Sequence, residues 1–191
     1  MDFLHLSTFS MDFTTINYLK TGTPTQQKTY TTLTHLNIFN DLKKYNPILV
    51  GTIPIDIQTS KSDLDIILET NHVSELADCL TKLYKNLANF NLEIKNLNQH
   101  ILACNFWFED FEIEIYSQNM ATQLQNGYLH MIKEYEILQA YSNDFKQHII
   151  SLKQQGIKTE PAFAQLLNLK GNPYEALLHY HVKKKLIKSI M

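Results

Sequence analysis

A chain of 191 residues with 44% hydrophobic and 19% charged residues, a net charge of −2, five glycines and five prolines is long enough to bury a core. That composition excludes whole-chain disorder and the collagen-like and mucin-like classes. Its two cysteines, Cys79 and Cys104, have no metal-ligand or disulfide-framework spacing, no apolar run reaches the length of a membrane span, and the N-terminus lacks the basic-then-apolar layout of a signal peptide, so a soluble cytoplasmic protein is expected.

The first ten residues stand apart from the patterned chain. Met11-Asp12-Phe13 echoes Met1-Asp2-Phe3, which makes Met11 a second candidate start; mass spectrometry of the native protein decides it. From Thr14 to Tyr45 the apolar spacing is helical, with Thr21-Gly22-Thr23-Pro24-Thr25 as turn chemistry between two helices. Pro47 ends the second helix, and Ile48-Leu49-Val50 is a short β-type run closed by Gly51. After a loop through Pro54 to Ser62, Asp63 to Leu68 reads as a strand that begins with acids. Val73, Leu76, Ala77, Leu80, Leu83, Tyr84 and Leu87 recur at three and four, which predicts an amphipathic helix. Leu92–Leu97, Ile101–Phe108 and Phe111–Tyr116 read as strands, the last two joined by a tight turn at Glu109-Asp110. Helices are expected over 122–141, 144–155, 159–169 and 173–189, two of them opening at Thr159 or Glu160 before Pro161 and at Asn172 before Pro173. The expected class is α/β or α+β, a small mixed sheet of about four strands flanked by helices, with a helical C-terminal part.

All 17 cationic residues are lysine. Without arginine for bidentate phosphate or guanine contacts, sequence-specific DNA reading is not expected, although an AT-rich gene explains the missing arginine equally well.

Two places carry the candidate chemistry. Asp63 and Asp65 are two apart on a predicted strand, so their side chains leave one face, and Asp is a poor strand residue that needs a reason to be there. Glu112 and Glu114 are also two apart, with Phe111, Ile113 and Ile115 on the opposite face. If the two strands are neighbours, three or four carboxylates converge; two such charges about 4 Å apart repel by roughly 4 kcal/mol at an effective dielectric near 20. Such a cluster calls for protons, cations or a metal, and Mg²⁺ favours clustered carboxylate oxygens. On spacing alone, acids on solvated strand ends are the favoured reading.

Gly51-Thr52 followed by Asp63-Leu64-Asp65, with an acid on a later apolar strand in Phe111-Glu112-Ile113-Glu114-Ile115, resembles the signature of the DNA polymerase β-like nucleotidyltransferase superfamily. Thr52 stands where Ser is usual and keeps the hydroxyl. A closer resemblance runs from roughly residue 16 to 180. Gly51-Thr52-Ile53-Pro54-Ile55, Ser62-Asp63-Leu64-Asp65-Ile66, Glu112 to Gln118, Gly156 to Ala164 and Asn172 to Leu178 look like a bacterial family of unknown function that is assigned to that superfamily. In that family an Arg commonly precedes the His of the helix after the third strand, and here Leu129 precedes His130.

The resemblance implies residues 1–13 as an extension, 14–118 as the nucleotidyltransferase-like core and 119–191 as a helical part forming one unit with it. It also implies phosphoryl transfer with Mg²⁺ or Mn²⁺ and an NTP donor. Asp63 and Asp65 would hold metal, and Glu114, or alternatively Glu112, would ligate a second ion or take the acceptor's proton. Gly51 and Thr52 would approach the triphosphate, helped by Lys61, Ser62 and Lys158. His130 and Glu134, four apart on one predicted helix face, would line the acceptor pocket, or else form a half-buried structural pair.

Other features have plainer readings. Gly156 to Pro161 is a helix stop followed by a helix start as well as a candidate anion site. Phe106-Trp107-Phe108 reads as hairpin core, with Trp107 as a base-stacking alternative if exposed. His179 and His181 point to different sides of a helix and do not chelate. Lys183-Lys184-Lys185 and Lys188 suit a helix C-terminus. Five scattered glycines build neither phosphate-cradling glycine loop. Two functional classes follow: a Mg²⁺-dependent enzyme moving a nucleoside monophosphate from an NTP to a hydroxyl, or a non-catalytic nucleotidyltransferase-like module that binds a nucleotide or a protein. Convergence of the acids separates them.

Overall fold

The computed structural model describes residues 11–182. Helices α1 (Pro24–Leu36) and α2 (Ile38–Asp41) precede strands β1 (Ile48–Val50) and β2 (Leu64–Glu69). Helix α3 (Val73–Tyr84) leads into β3 (Ala88–Asn96), β4 (Ile101–Phe108) and β5 (Phe111–Gln118). Four helices follow: α4 (Asn126–Ala140), α5 (Asn143–Gln154), α6 (Thr159–Leu166) and α7 (Pro173–Leu178). The five strands form one mixed sheet in the order β1-β2-β5-β4-β3, and only the central β2–β5 pair is parallel. No helix among the described residues is long and apolar enough to cross a membrane.

Each central strand sorts its side chains by period two. Leu64, Ile66 and Leu68 of β2 and Ile113 and Ile115 of β5 are fully buried on one face, against Leu33 of α1, Ile38 of α2 and Leu76 and Leu80 of α3. The opposite face of β1 and β2, through Ile48, Val50 and Ile67, packs on Met131 and Ile137 of α4, Ile149 of α5, Phe163 of α6 and Leu177 of α7. Phe13 joins this second core, edge-on to Tyr18 and Tyr135. Two packed faces therefore hold β2 rigidly, while the site side of β5 stays open.

The elements depart from the sequence pattern where local chemistry or pairing overrides it. The segment expected as one helix up to Tyr45 breaks at Asn37, whose left-handed backbone (φ 58°) Asn tolerates better than other side-chain-bearing residues. The stretch around Ile16 and Leu19 closes only a 3₁₀ turn, Asn17–Thr21. Strand β3 starts at Ala88, four residues early, because pairing with β4 extends it past the apolar run, and the sheet has five strands rather than four. Phe106 is buried, but Trp107 faces outward and is 41% exposed, so it is not hairpin core. Glu109, at φ 52°, makes the expected turn. Helix α7 ends at Leu178, and residues 179–182 are not helical, so the helix expected over 173–189 stops early; the remainder of that span and the Lys183–Lys188 cluster lie outside the described residues.

The loop from Gly51 to Asp63 is tied down from both sides. Gln26 is buried on α1; its Nε2 donates to Ile53 O at 2.9 Å and Pro54 O at 3.1 Å, and its Oε1 accepts from Thr23 N at 3.0 Å. On the other side, Lys146 Nζ of α5 pairs with Asp56 at 2.5 Å, and Lys153 Nζ donates to Ile57 O at 2.7 Å. Gln26→Ala leaves two buried carbonyls and the Thr23 amide without partners; a loss of about 2–4 kcal/mol is expected. Gln26→Glu, which cannot donate, is expected to fall well below wild type too, both read by urea denaturation.

Candidate active site

Parallel pairing sets the site. Leu64 lies opposite Ile113 and Asp65 opposite Glu114, so the two acids share the sheet face that meets the C-terminal helices. Asp63 precedes β2 by one residue and turns toward the same point: carboxylate oxygens of Asp63, Asp65 and Glu114 all lie within 4.8 Å of one another. Glu112 sits two residues earlier on β5, beside Trp107 in register, and is outside this triad.

Gly51 closes β1 over the triad. Its φ of +82° favours glycine, and a Cβ there would stand 2.3 Å from Asp65 Oδ2, so only a bare backbone lets the carboxylate lie against the strand end. Thr52 Oγ1 and Ser62 Oγ are 3.2 Å apart, and Ser62 Oγ accepts from Thr59 N at 3.0 Å, which folds the hydroxyl-bearing ends of the loop together.

A cleft of about 430 Å³ opens between the sheet and the C-terminal helices, lined by Gly51, Thr52, Asp65 and Glu114 on one wall and by His130, Glu134 and Glu160 on the other. Of the residues singled out in the sequence, Gly51, Thr52, Asp65, Glu114, His130 and Glu134 thus meet at one cleft, with Asp63 beside Asp65. Lys61 is exposed on the loop, and Lys158 is exposed at the residue before α6; neither lines this cleft.

Two residues that the sequence did not mark belong to this environment. Glu160, read as a helix start, points from the first turn of α6 toward His130 and Glu134. Lys153, from the last turn of α5, is the cation between the two acid groups. Their signal is purely tertiary: nothing in the spacing of α5 or α6 relates them to β2.

The charges perturb one another strongly. Burial first, then the charges of Asp63 and Glu114, push the Asp65 carboxyl up to about 7, with Lys153 opposing. Burial, then Asp63 and Glu112, raise Glu114. Burial and then Glu160 hold Glu134 well above the usual carboxylate range. Burial lowers Lys153 to about 8 against the pull of Glu134, Glu160, Asp63 and Asp65, and burial lowers His130. Perturbations of this kind cluster at functional sites. All-oxygen clustering at the triad fits Mg²⁺ or Mn²⁺.

The chain belongs to the family described as "Domain of unknown function (DUF4269)", which it matches over residues 31–180. No curated protein matches it. Among solved structures, it is similar to a chain of the GLD-2/RNP-8 complex (16% identity, 87% of this chain and 70% of that one, TM-score 0.51). It also matches a chain of the polymerase core of TRAMP, an RNA surveillance complex, at 15% identity over 84% of this chain and 50% of that one, with a TM-score of 0.46. The fold is of the nucleotidyltransferase type.

Two outcomes check this geometry. Gly51→Ala is expected to destabilise by about 1–3 kcal/mol, because it strains the backbone and displaces Asp65; thermal melting reads it. For Asp65 the folded-state value of about 7 lies above the ordinary 3.8, so the folded protein holds the proton more tightly than the unfolded chain. Its contribution is therefore present below about pH 4 and is lost as pH rises through 7. The displacement corresponds to at most about 4 kcal/mol. In metal-free buffer, Asp65→Asn should melt higher than wild type at pH 8, with the difference closing toward pH 4.

Proposed function

We propose that this protein is a divalent-metal-dependent nucleotidyltransferase that moves a nucleoside monophosphate from an NTP to a hydroxyl acceptor. The observation that carries the reading is the convergence of Asp63, Asp65 and Glu114 across the β2–β5 pair, at the mouth of a cleft large enough for a ligand. Carboxylates splayed to solvent would instead have favoured a non-catalytic binding module.

Asp63 and Asp65 would hold Mg²⁺ or Mn²⁺, with Glu114 completing the ligand set. Bound there, the metal would offset the charge of the triphosphate and steady the attacking and leaving oxygens. The remaining work falls to the chain. Gly51 presents backbone without a side chain, and the Thr52 and Ser62 hydroxyls lie beside it to hydrogen-bond phosphate oxygens. Glu114, whose proton affinity is raised by burial and then by the neighbouring acids, is placed to accept the acceptor hydroxyl's proton. The helical wall with His130 and Glu134 faces the triad across the cleft and forms the acceptor side. In this reading 14–118 is the catalytic core, and the helical part from 119 onward, through its described residues up to 182, is the cap that completes the cleft. Lys61 and Lys158, exposed and outside the cleft lining, would reach a triphosphate only by extending toward it.

Melting temperature against a panel of NTPs, with and without Mg²⁺ or Mn²⁺, tests the proposal. A ligand at a hundred times its dissociation constant stabilises by about 2.7 kcal/mol, a shift of roughly 5–10 °C for a chain of this length. The expected shift requires metal and nucleotide together and disappears in Asp63→Asn/Asp65→Asn. A panel without any joint shift would overturn the reading in favour of the binding module.

A further inference from the structure

The helical wall of the cleft carries a second group of metal-type donors, distinct from the carboxylate triad. His130 and Glu134 lie one turn apart on α4, so both side chains leave one face, and Glu160 meets them from the first turn of α6. One ligating atom from each lies within 4.8 Å of the others. His130 is only 7% and Glu134 only 3% exposed, although both line the cleft. The Nδ1 of His130 is buried without a hydrogen-bond partner among the described residues. A buried ring nitrogen without a partner is costly and calls for an occupant.

The charge balance points the same way. The buried Glu134 and the half-buried Glu160 sit together, and Lys153, the cation that acts on both, spends its ammonium on Ile57 O at 2.7 Å. One lysine leaves two carboxylates undercompensated, and the imidazole adds a lone pair rather than a charge. A dication that accepts both nitrogen and oxygen ligands would satisfy all three side chains at once. Ligands opposite each other on a metal at 2.0–2.2 Å are at most about 4.4 Å apart, so small side-chain rotations close the set. One imidazole with two carboxylates suits Zn²⁺ or Mn²⁺ better than Mg²⁺, which favours oxygen alone, and three protein ligands leave a position open toward the cleft.

We propose that His130, Glu134 and Glu160 form a transition-metal dication site on the α4–α6 wall, separate from Asp63, Asp65 and Glu114 and open to the cleft. The site stands on the geometry of that wall and does not depend on nucleotide transfer.

Calorimetric titration of Zn²⁺ into the full chain tests it, with the triad silenced by Asp63→Asn/Asp65→Asn and excess Mg²⁺ present. One equivalent should bind. Glu160→Gln, a partly exposed first-turn position whose substitution leaves the α6 packing face intact, should weaken binding at least tenfold in that background, and His130→Gln should do the same. Metal-free melting curves verify that each variant is folded. With Co²⁺ in place of Zn²⁺, an intense visible band of a four- or five-coordinate centre should appear and vanish in Glu160→Gln. Zn²⁺ binding unchanged by both substitutions, or no binding once the triad is silenced, would overturn the proposal. Neither result bears on the NTP-dependent melting shift, so this site and the transferase reading fail separately.

Discussion

The parallel register of β2 against β5 is the constraint on which the site depends. Asp65 lies opposite Glu114, and their neighbours Leu64, Ile66, Ile113 and Ile115 fill the core behind them. A slip of one residue would send Glu114 into that core and Ile113 into the cleft, so the same hydrophobic burial that stabilises the sheet holds the acids together. Burying several apolar side chains, each worth about 1.5–3 kcal/mol, outweighs the repulsion between the carboxylates. Parallel pairing needs a long crossover, and α3, β3 and β4 supply it before the chain returns as β5.

Around that register the molecule holds unbalanced charge in a confined space. Five acids, Asp63, Asp65, Glu114, Glu134 and Glu160, act on a cleft region that the half-buried Lys153 compensates only in part. The backbone tolerates this because the loop between Gly51 and Asp63 is bonded to α1 through Gln26 and to α5 through Lys146 and Lys153. Lys153 thus couples two jobs: it fixes the loop carrying the glycine turn and lowers the electrostatic cost of both acid groups. The C-terminal helices are held against β1 and β2 by their own core, which keeps the second wall at a defined distance from the triad.

Much of this was legible in the chain. The D-x-D pair, the acids of β5 and the glycine after β1 stand out because strand periodicity places residues two apart on one face and because glycine adopts positive φ. The β4–β5 hairpin was legible for the same reason, as its turn and both apolar strands are local. The Asn37 break, the early start of β3 and the exposure of Trp107 were not, since each depends on a partner strand or on a backbone state that several residues tolerate. Lys61 was a candidate phosphate contact from its loop and Lys158 from a helix start; neither position says where the side chain lies relative to the cleft, and both lie outside its lining.

By itself the sequence determined most element types, the α/β class, the family resemblance, and the two aspartates of a candidate metal site with Glu112 or Glu114 as the third acid, because these follow from periodicity and short motifs within single elements. Only the tertiary structure decided that β2 runs parallel to β5 with Asp65 beside Glu114, that Glu114 rather than Glu112 joins the triad, and that Lys153 and Glu160 enter the cleft. Those outcomes come from packing between elements distant in the chain. Helical spacing says which residues share a face, but not what that face meets.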